Sequence, residues 1–570
     1  MQQIKAPWLS AYGDVPFHIE YPDVSISEQI INTARKAPKK TALSFMGRNI
    51  SYGEFAENIE KCAKAFIAAG VKYGQCVTLC MPNIPQTVYC LYALNMAGAV
   101  VSIIHPLSAE GEIVYYLHET DSRFAVTLDQ FCDKVIAAGK EHPIDKLIVT
   151  GIDDELSFVK GKLYRLTVGR DIPKADFGDG IVSWKKFLSD GLSFRGAYKF
   201  DTKPDDTAVI LFSGGTTGVT KGIELSNLNF NALAFQTGAM SHCDVSKMSM
   251  LAAMPMFHGF GLGVCIHTVL ALGGRSILVP RFNVKDYAKL IKTQKPNFIA
   301  GVPTLFEAIV SNPYLDGVKL DFLRGVFSGG DSLAPDLKKK IDAFLEKHGS
   351  PVHVREGYGT TECVTASCLT PYFNEKEGSI GIPFPDTYYK ICELGTTKEV
   401  PYGQPGEICI AGPTVMKGYL NHEKETEDTL EMHDDGFVWL RTGDLGCMDE
   451  EGFVYFKQRI KRMIITSGYN VYPSQIESII NSHEAVMLSC VIGVPDSYKM
   501  QKVKAFVVLN SGYNPTDELK KELFEYCKKH IAKYAMPYDI EFRESLPHTR
   551  VGKIAYGKLA HEEEKNCAAV

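Results

Sequence analysis

The segment SGGTTGVTKG, which spans Ser213–Gly222, brings glycines, hydroxyl side chains and a lysine together within ten residues. Glycines let backbone N–H groups approach an anion closely, and serine and threonine hydroxyls add further hydrogen-bond donors. Lys221 adds a positive charge. A flexible surface turn is the alternative, but turns seldom combine so many anion donors with a lysine. The segment therefore predicts a binding site for a polyphosphate.

The residues that follow this segment argue against two common phosphate-binding folds. The residue after Gly218 is Val219 rather than lysine, so the segment is not a Walker loop. Lys221–Ser226 (KGIELS) has strand character, and Ser226 or Asn227 can cap a helix that follows. The segment is thus expected to join two strands, which disfavours a P-loop NTPase and a Rossmann dinucleotide fold.

Further segments that carry reactive side chains follow in a distinctive order. They are EGYGTTE (Glu356–Glu362), GEICIAGPTVMKGYL (Gly406–Leu420), RTGDLG (Arg441–Gly446), QRIKRMIITSGYNVYPSQIE (Gln458–Glu477) and LPHTRVGKIAYGKL (Leu546–Leu559). Together with Ser213–Gly222 they resemble the motifs of the adenylate-forming superfamily, which includes acyl-CoA synthetases, luciferases and peptide-synthetase adenylation domains. The resemblance covers nearly the whole chain.

The resemblance implies a site for ATP and Mg²⁺. Tyr358 would offer a flat face to the purine, Asp444 would accept both ribose hydroxyls, and Glu362 would hold the metal against phosphate oxygens. SGGDS (Ser328–Ser332) resembles the strand end beside the adenine. The full set of implied ATP-binding residues is Ser213, Gly214, Gly215, Thr216, Thr217, Lys221, Gly330, Asp331, Tyr358, Gly359, Thr360, Thr361, Asp444 and Arg459.

The implied catalytic residues are Lys553, Glu362 and His258. In the family, a lysine of the C-terminal domain enters the site when a carboxylate attacks the α-phosphate. A cation that touches both anions relieves their repulsion and stabilises the transition state. His258 lies in MFHGFGLG (Met256–Gly263), which resembles the motif lining the acyl site. The glycines of this motif would leave room for a long chain, although close helix packing would use the same residues.

The C-terminal part is expected to move relative to the rest of the chain. The implied domains are an adenylation domain over residues 1–458, a hinge over 459–462 around Lys461, and a mobile domain over 463–570. The family rotates its small domain after adenylation, and Gly468 and Tyr469 resemble the residues presented to coenzyme A. The residue before Arg459 is Gln458 here, whereas relatives commonly have glycine or aspartate.

The elements that must position these residues read as layers of strands and helices. Cys76–Met81, Ala99–Ile104, Phe124–Leu128 and Ala208–Phe212 have strand character, and Thr87–Ala97 has helical length. This alternation predicts an α/β fold of mostly parallel sheets. From Gly406 onward the pattern predicts a smaller β-rich subdomain and then a small α+β domain, as the acyl-CoA synthetase-like fold implies.

Composition excludes several other classes of protein. The chain has 570 residues, of which 45% are hydrophobic and 22% charged, with a net charge of −6. There is enough apolar surface for a core, which excludes disorder as the main state. The net charge disfavours a protein that mainly coats nucleic acid or an anionic membrane, although a local basic patch is compatible with it. The apolar stretches Cys90–Ile104 and Phe260–Val279 are read as buried core rather than transmembrane segments.

Fifteen cysteines without a CxxC pair favour free thiols in a reducing cytoplasm, and the first residues lack the pattern of a signal peptide. The residues within these motifs are similar to those of bacterial medium- and long-chain fatty acyl-CoA ligases. The expected activity is that of an acid–thiol ligase that uses ATP, Mg²⁺ and coenzyme A to activate a fatty acid through acyl-AMP, with no nucleic-acid partner. Peripheral membrane association is left open.

Three alternatives to this activity are an acyl-AMP ligase that loads a carrier protein, an aryl-CoA ligase, and a catalytically inactive acyl-binding relative. No obvious insertion lies between Asp444 and Ile464, where carrier-loading relatives have one. Retention of Lys553, Glu362 and Asp444 disfavours an inactive protein. The acceptor of the acyl group and the identity of the acid stay undetermined by the sequence.

Overall fold

A computed structural model of the chain describes residues 4–172, 175–178, 180–212, 220–466, 469–496, 499–549 and 554–568. Within these ranges the strands form four sheets. Two are large and mostly parallel, the third is an antiparallel sheet of the predicted β-rich subdomain, and the fourth lies in the C-terminal part. The predicted fold class is therefore confirmed.

An eight-stranded sheet contains the two strands expected on either side of the phosphate-binding segment. They are antiparallel neighbours, with Phe212 opposite Gly222. The strands in spatial order are Gly418–Tyr419, Gly222–Ser226, Thr207–Phe212, Val100–Ile103, Cys76–Cys80, Phe124–Leu128, Lys146–Thr150 and Ile181–Ser183. The segment thus joins two strands, as predicted, although residues 213–219 themselves lie outside the described part of the chain.

A nine-stranded sheet carries the EGYGTTE and SGGDS motifs at the ends of two adjacent parallel strands. Its strands in spatial order are Ile382–Pro383, Cys368–Leu369, Val354–Tyr358, Gly325–Ser328, Phe298–Gly301, Ser249–Ala252, Arg275–Leu278, Thr41–Phe45 and Arg48–Ser51. The carboxyl ends of parallel strands lie at one edge of a sheet, so the two motifs emerge side by side.

An antiparallel sheet pairs the RTGDLG segment with the strand that ends at Arg459. Its strands are Tyr388–Cys392, Gly406–Ala411, Val438–Met448, Leu430–Met432 and Val454–Arg459. The C-terminal sheet contains Tyr469–Val471, Ile464–Thr466, Met500–Leu509, Val486–Asp496 and Asp539–Phe542. Its two long strands are antiparallel neighbours, paired from Val486 opposite Leu509 to Asp496 opposite Met500.

Helices cover the sheets and begin at recognisable signals. Ser226 caps its helix by accepting a hydrogen bond from the backbone N–H of Asn229 (3.1 Å), as predicted. The α-helices are Ile26–Lys36, Tyr52–Ala69, Pro85–Met96, Glu110–Glu119, Cys132–Glu141, Phe158–Leu166, Trp184–Ser193, Asn227–Met240, Val269–Ala271, Val284–Gln294, Pro303–Val310, Pro335–Lys347, Glu423–Thr429, Pro473–Asn481, Asp517–His530 and Tyr556–Ala568. Phe260–Thr268 is π-helical.

The core is continuous through the N-terminal sheets, and the C-terminal part has apolar clusters of its own. Both apolar stretches read as core are buried, including every side chain of the helix Pro85–Met96. The fourteen cysteines whose side chains are described are free thiols. Among the described residues, no helix combines the length and the apolar character that crossing a bilayer requires.

Candidate active site

A cavity of about 1620 Å³ lies beside the carboxyl ends of strands from both large sheets. Residues that follow the strands Val100–Ile103, Gly325–Ser328 and Val354–Tyr358 line it, and so do residues of the C-terminal part. The carboxyl ends of parallel strands are the usual ligand site in open α/β sheets. The apolar side chains in its lining include Ile103, Ile104, Phe212, Phe257, Phe260, Val264, Phe327, Leu333, Leu369, Ile380 and Phe384.

Tyr358, Asp444 and Arg459 form a hydrogen-bonded group in this cavity. The Tyr358 hydroxyl donates to Asp444 Oδ2 (2.6 Å), and Arg459 Nε lies 2.9 Å from Asp444 Oδ1. Asp444 and Arg459 are directly opposite residues on paired strands, so sheet register fixes their contact. Burial, reinforced by the Asp444 charge, raises the pKa of Tyr358 well above its usual value. The hydroxyl therefore stays protonated and orients the carboxylate.

Glu362 is held by a tyrosine that comes from a distant part of the chain. The Tyr419 hydroxyl donates to Glu362 Oε1 (2.9 Å), and Lys221 Nζ lies 4.8 Å from the Tyr419 ring centre. The strand Gly418–Tyr419 pairs with Gly222–Ser226, directly after the predicted phosphate segment. This pairing brings the implied metal carboxylate and the implied phosphate lysine to the same tyrosine.

The segment from Tyr358 to Glu362 leaves its strand and turns tightly beneath the cavity. Thr361–Cys363 forms a single 3₁₀ turn rather than the start of a longer helix. Gly330 has φ of +81°, a conformation that favours glycine, and it precedes Asp331, whose Oδ1 accepts from the Ser332 N–H (2.9 Å). All of the implied residues Gly330, Asp331, Tyr358, Gly359, Thr360, Thr361 and Glu362 line the cavity.

Gly359 permits a close backbone approach within this turn, which leads to a stability prediction. A Cβ at this position would lie 1.7 Å from the carbonyl oxygen of Thr365. We expect Gly359→Ala to lower the free energy of unfolding by about 3 kcal/mol, since backbone must move to accept it. Gly111→Ala is the matched control, because no atom lies within 4 Å of its Cβ. Equal urea-unfolding midpoints for the two variants would contradict the prediction.

Glu356 is a half-buried residue whose carboxyl also lines the cavity. Its Oε1 accepts from the Leu333 backbone N–H (3.3 Å), and its own backbone N–H donates to Thr370 Oγ1 (3.1 Å). Burial raises the pKa of the Glu356 carboxyl to about 7, although the Leu333 N–H and Lys338 oppose the rise. The folded protein therefore holds a proton there at pH values where an unfolded chain releases it.

Replacing this carboxyl should flatten part of the pH dependence of stability. Because the pKa is higher in the folded state, the wild-type protein loses stability as pH rises from the unfolded pKa toward about 7. We expect Glu356→Gln to gain roughly 1–3 kcal/mol relative to wild type between pH 5 and pH 8. Urea unfolding at several pH values measures this, with the exposed Glu377→Gln as control. Parallel pH curves for wild type and Glu356→Gln would refute it.

His258 lines the cavity beside the aromatic Phe257, whose ring centre lies 4.2 Å from that of His105. The Phe260 backbone N–H donates to His258 Nδ1 (3.2 Å), so a neutral ring carries its proton on Nε2. The glycines that follow serve close packing. A Cβ at Gly259 would lie 1.7 Å from the Val364 carbonyl oxygen, and one at Gly261 would lie 2.1 Å from that of Pro255.

Val364 itself has an unusual backbone. Its φ of +65° and ψ of −57°, together with the Thr365 N–H donating to the Cys363 carbonyl (2.8 Å), define a γ-turn of the rare type. Such a turn is strained for a β-branched residue. The strain lies two residues after Glu362, at the point where the turn contacts the π-helix Phe260–Thr268 through Gly259 and Gly263.

The connection to the C-terminal part is anchored on both sides. Arg459 contacts Asp444 of the N-terminal sheets, whereas Arg462 Nη2 lies 2.6 Å from Glu477 Oε1 in the C-terminal part. Only Ile460 and Lys461 lie between the two anchors, and Lys461 is exposed. Gln458, in contrast, is almost fully buried at the end of its strand.

Several implied residues lie outside the described part of the chain. These are Ser213, Gly214, Gly215, Thr216, Thr217, Gly468 and Lys553, and for Tyr469 only the backbone strand is described. The described neighbours of residue 553 are informative, because His548 and Ile554 form a β-bridge and both line the cavity. The described residues on either side of 550–553 therefore face the cavity.

The donor set at Glu362 fits a magnesium ion that is shared with a nucleotide. Among the described residues, no group of three metal-ligating side chains could hold a metal ion by itself. Mg²⁺ typically binds one or two carboxylates together with substrate phosphates. Glu362 supplies one carboxylate close to Lys221 and to the end of the predicted phosphate segment.

Comparison with known proteins agrees with this geometry. A family model described as "AMP-binding enzyme" matches residues 31–420, and one described as "AMP-binding enzyme C-terminal domain" matches residues 475–553. The chain belongs to the AMP-binding enzymes. This AMP-binding enzyme is 34% identical over 572 residues to a long-chain-fatty-acid–CoA ligase of Bacillus subtilis, with 99% of each chain covered. It is 33% identical to the protein of the same name from Yersinia pestis, with 98% of each covered.

Solved structures share the fold of this AMP-binding enzyme along nearly all of its length. ATP-bound MatB from Rhodopseudomonas palustris is 25% identical with a TM-score of 0.82, and the match covers 96% of this chain and 100% of that one. The anthranilate CoA ligase AuaEII in complex with anthranoyl-AMP also has a TM-score of 0.82 at 22% identity, covering 98% and 100%. At that identity the second likeness concerns the fold alone.

Sequence reasoning missed two polar residues that the AMP-binding enzyme brings into the cavity. Tyr419 lies in the GEICIAGPTVMKGYL motif and Glu356 begins EGYGTTE, yet neither was assigned a role. Their position inside quoted motifs was the available signal. No local pattern showed that the Tyr419 hydroxyl would meet Glu362, since 57 residues separate them in sequence.

Proposed function

We propose that the protein is a fatty acid:CoA ligase that acts on long-chain acids through an acyl-adenylate. The cavity carries this proposal, because apolar side chains such as Phe257, Phe260 and Val264 line the same cavity as the group formed by Tyr358, Asp444 and Arg459. Its volume of about 1620 Å³ exceeds what one drug-sized ligand occupies and suits a nucleotide together with an acyl chain. The full-length likeness to long-chain-fatty-acid–CoA ligases supports the choice of acid.

In the first step, a carboxylate oxygen of the fatty acid attacks the α-phosphorus of ATP, and pyrophosphate leaves. Asp444 accepts the ribose hydroxyls while Tyr358 and Arg459 hold it in place. The Ser213–Gly222 segment with Lys221 binds the phosphates, next to the backbone of Gly359, Thr360 and Thr361. Gly330 and Asp331 border the base. Glu362 would hold Mg²⁺, which neutralises phosphate charge when bound.

In the second step, the thiol sulfur of coenzyme A attacks the acyl carbonyl, the thiol proton is released to solvent, and AMP leaves with the electrons of the broken bond. His258 borders the carbonyl through Nε2, since Nδ1 accepts from Phe260. Lys553 serves the first step only. Rotation about Lys461 then replaces it by the segment with Gly468 and Tyr469, because the exposed Lys461 between the two anchors can change its backbone conformation while Arg459 and Arg462 keep their partners.

The same reasoning divides the chain into an adenylation domain over residues 1–458, a hinge over 459–462 and a mobile domain over 463–570. We place the protein in the cytoplasm. Its described cysteines are free, and ATP and coenzyme A are intracellular substrates.

A pyrophosphate-release assay over octanoate, laurate, palmitate and benzoate, with and without coenzyme A, tests the proposal. We expect a palmitoyl thioester, identified by mass spectrometry, and a specificity that rises roughly fourfold per methylene until the pocket ends. Lys553→Ala serves as the inactive control. Accumulation of acyl-AMP without any CoA thioester would instead indicate a carrier-loading enzyme. Preference for benzoate would indicate an aryl-CoA ligase, and no turnover of any acid would indicate an acyl-binding relative.

A further inference from the structure

The helix Phe158–Leu166 is amphipathic, but its large apolar side chains face solvent, whereas those of an ordinary surface helix face the core. The buried residues of this helix are Gly161 and Tyr164. The face toward solvent carries Phe158, Val159 and Leu166, which are 77%, 75% and 75% exposed. Leu163, at 60%, and the following Val168, at 75%, extend this surface. Soluble proteins seldom place so many large apolar side chains together on one exposed element.

Ion pairs fix the helix in this orientation. Arg165 Nη2 lies 2.7 Å from Asp129 Oδ2 and 2.6 Å from Asp153 Oδ1, and it joins the helix to two neighbouring turns. Gly161 allows the approach, because a Cβ there would lie 3.3 Å from the Asp153 carbonyl oxygen. The apolar face is thus held outward by the contacts of the opposite face.

The charge of this surface is opposite to that of the whole protein. Besides the paired Arg165, residues 158–170 contain Lys160, Lys162 and Arg170 and no Asp or Glu, in a chain with a net charge of −6. Lys162 Nζ lies 4.3 Å from the Phe158 ring centre, within the apolar face itself. Lys160 lies against the turn at Gly47, beside Met46, which is 48% exposed and adds another apolar side chain.

We propose that this surface, formed by residues 158–170 with Met46, docks on a bilayer that contains anionic phospholipids. An interfacial helix places Phe and Leu at the boundary of headgroups and acyl chains while lysines beside them reach lipid phosphates. Charge complementarity selects this occupant over a second copy of the chain, because a two-fold interface would bring the same cations face to face. The proposal goes beyond the ligase chemistry and does not depend on it.

Co-sedimentation of the full chain with vesicles tests the docking surface. Vesicles of phosphatidylcholine alone are compared with vesicles that also contain phosphatidylglycerol, at low and high salt. We expect binding to the anionic vesicles, weakened by salt, and at least about tenfold weaker binding for Phe158→Ser/Leu166→Ser and for Lys160→Glu/Lys162→Glu. Phe373→Ser/Met432→Ser is the matched control, since these side chains are 68% and 63% exposed elsewhere.

The proposal is overturned if the wild-type protein stays in the supernatant with both kinds of vesicle. It is also overturned if all of the variants pellet with the vesicles as well as the wild-type protein does. Sedimentation velocity provides a second measurement: a dimer that the Phe158/Leu166 variant abolishes assigns the face to self-association and also overturns it. Thermal melting and pyrophosphate release from soluble octanoate, measured without vesicles, should be unchanged in the variants. Failure of docking is therefore distinguishable from failure of the proposed ligase activity.

Discussion

Lys553→Ala should reduce acyl-adenylate formation by about 100- to 1000-fold while sparing thioester formation from supplied acyl-AMP. The first reaction brings a carboxylate against a phosphate, and the lysine is proposed to neutralise the charge that develops between them. In the second reaction the thiol attacks the uncharged carbonyl of acyl-AMP, so this step needs no cation between two anions. ATP–pyrophosphate exchange measures the first half-reaction, and conversion of synthetic acyl-AMP with coenzyme A measures the second.

The position of the neighbouring residues motivates this expectation, because His548, Thr549, Ile554 and Ala555 all line the cavity. Lys558→Ala is the matched control, since Lys558 is an exposed lysine of the following helix that lines the same cavity. It should retain most activity in both assays. Loss of both half-reactions to the same extent in Lys553→Ala would contradict the assigned role.

Asp444→Asn should weaken ATP binding about 100-fold. The carboxylate is almost fully buried and accepts from Tyr358 while it pairs with Arg459. Asparagine keeps the shape but loses the charge, so the Arg459 guanidinium is left without its partner and one acceptor for ribose is lost. Calorimetric titration of ATP into the free enzyme measures the effect without requiring turnover.

Tyr358→Phe is the graded control for this variant. It removes one hydrogen bond to Asp444 but keeps the ring that borders the base, so ATP binding should weaken by only about tenfold. Because removal of one partner of a buried pair also destabilises the fold, the melting temperature of each variant is measured alongside. Unchanged ATP affinity in a folded Asp444→Asn variant would rule out the proposed contact with ribose.

The sequence predicted the fold class and the family, and both are confirmed. The reason is that the relevant signals are local. The glycines, hydroxyls and lysine of Ser213–Gly222 predict phosphate binding, and the strand pattern of KGIELS predicts that a strand follows the segment. The roles of individual residues stay predictions, including those of Lys553 and the other residues that the structure does not describe.

Long-range contacts were beyond the reach of such patterns. Gly418–Tyr419 is a two-residue strand, which is too short for its pairing partner to be predicted from sequence. Its pairing with Gly222–Ser226 nevertheless places Tyr419 in contact with Glu362. The sequence also did not show that Gln458, which directly precedes the implied hinge 459–462, is buried, or that Arg462 pairs with Glu477. The burial of a side chain depends on which distant residues pack against it, and the local composition of the chain does not specify those residues.

By itself, the sequence determined which chemical groups are available and in what order, because side-chain types and turn residues act over a few neighbours. Only the tertiary structure decided which groups meet, how deeply they are buried and which faces remain outside. The glycines of MFHGFGLG illustrate the division, since their spacing suited either an open acyl channel or close packing, and the backbone contacts of Gly259 and Gly261 decided for packing. The outward apolar face of Phe158–Leu166 is a second case, because periodicity reports an amphipathic helix without its orientation.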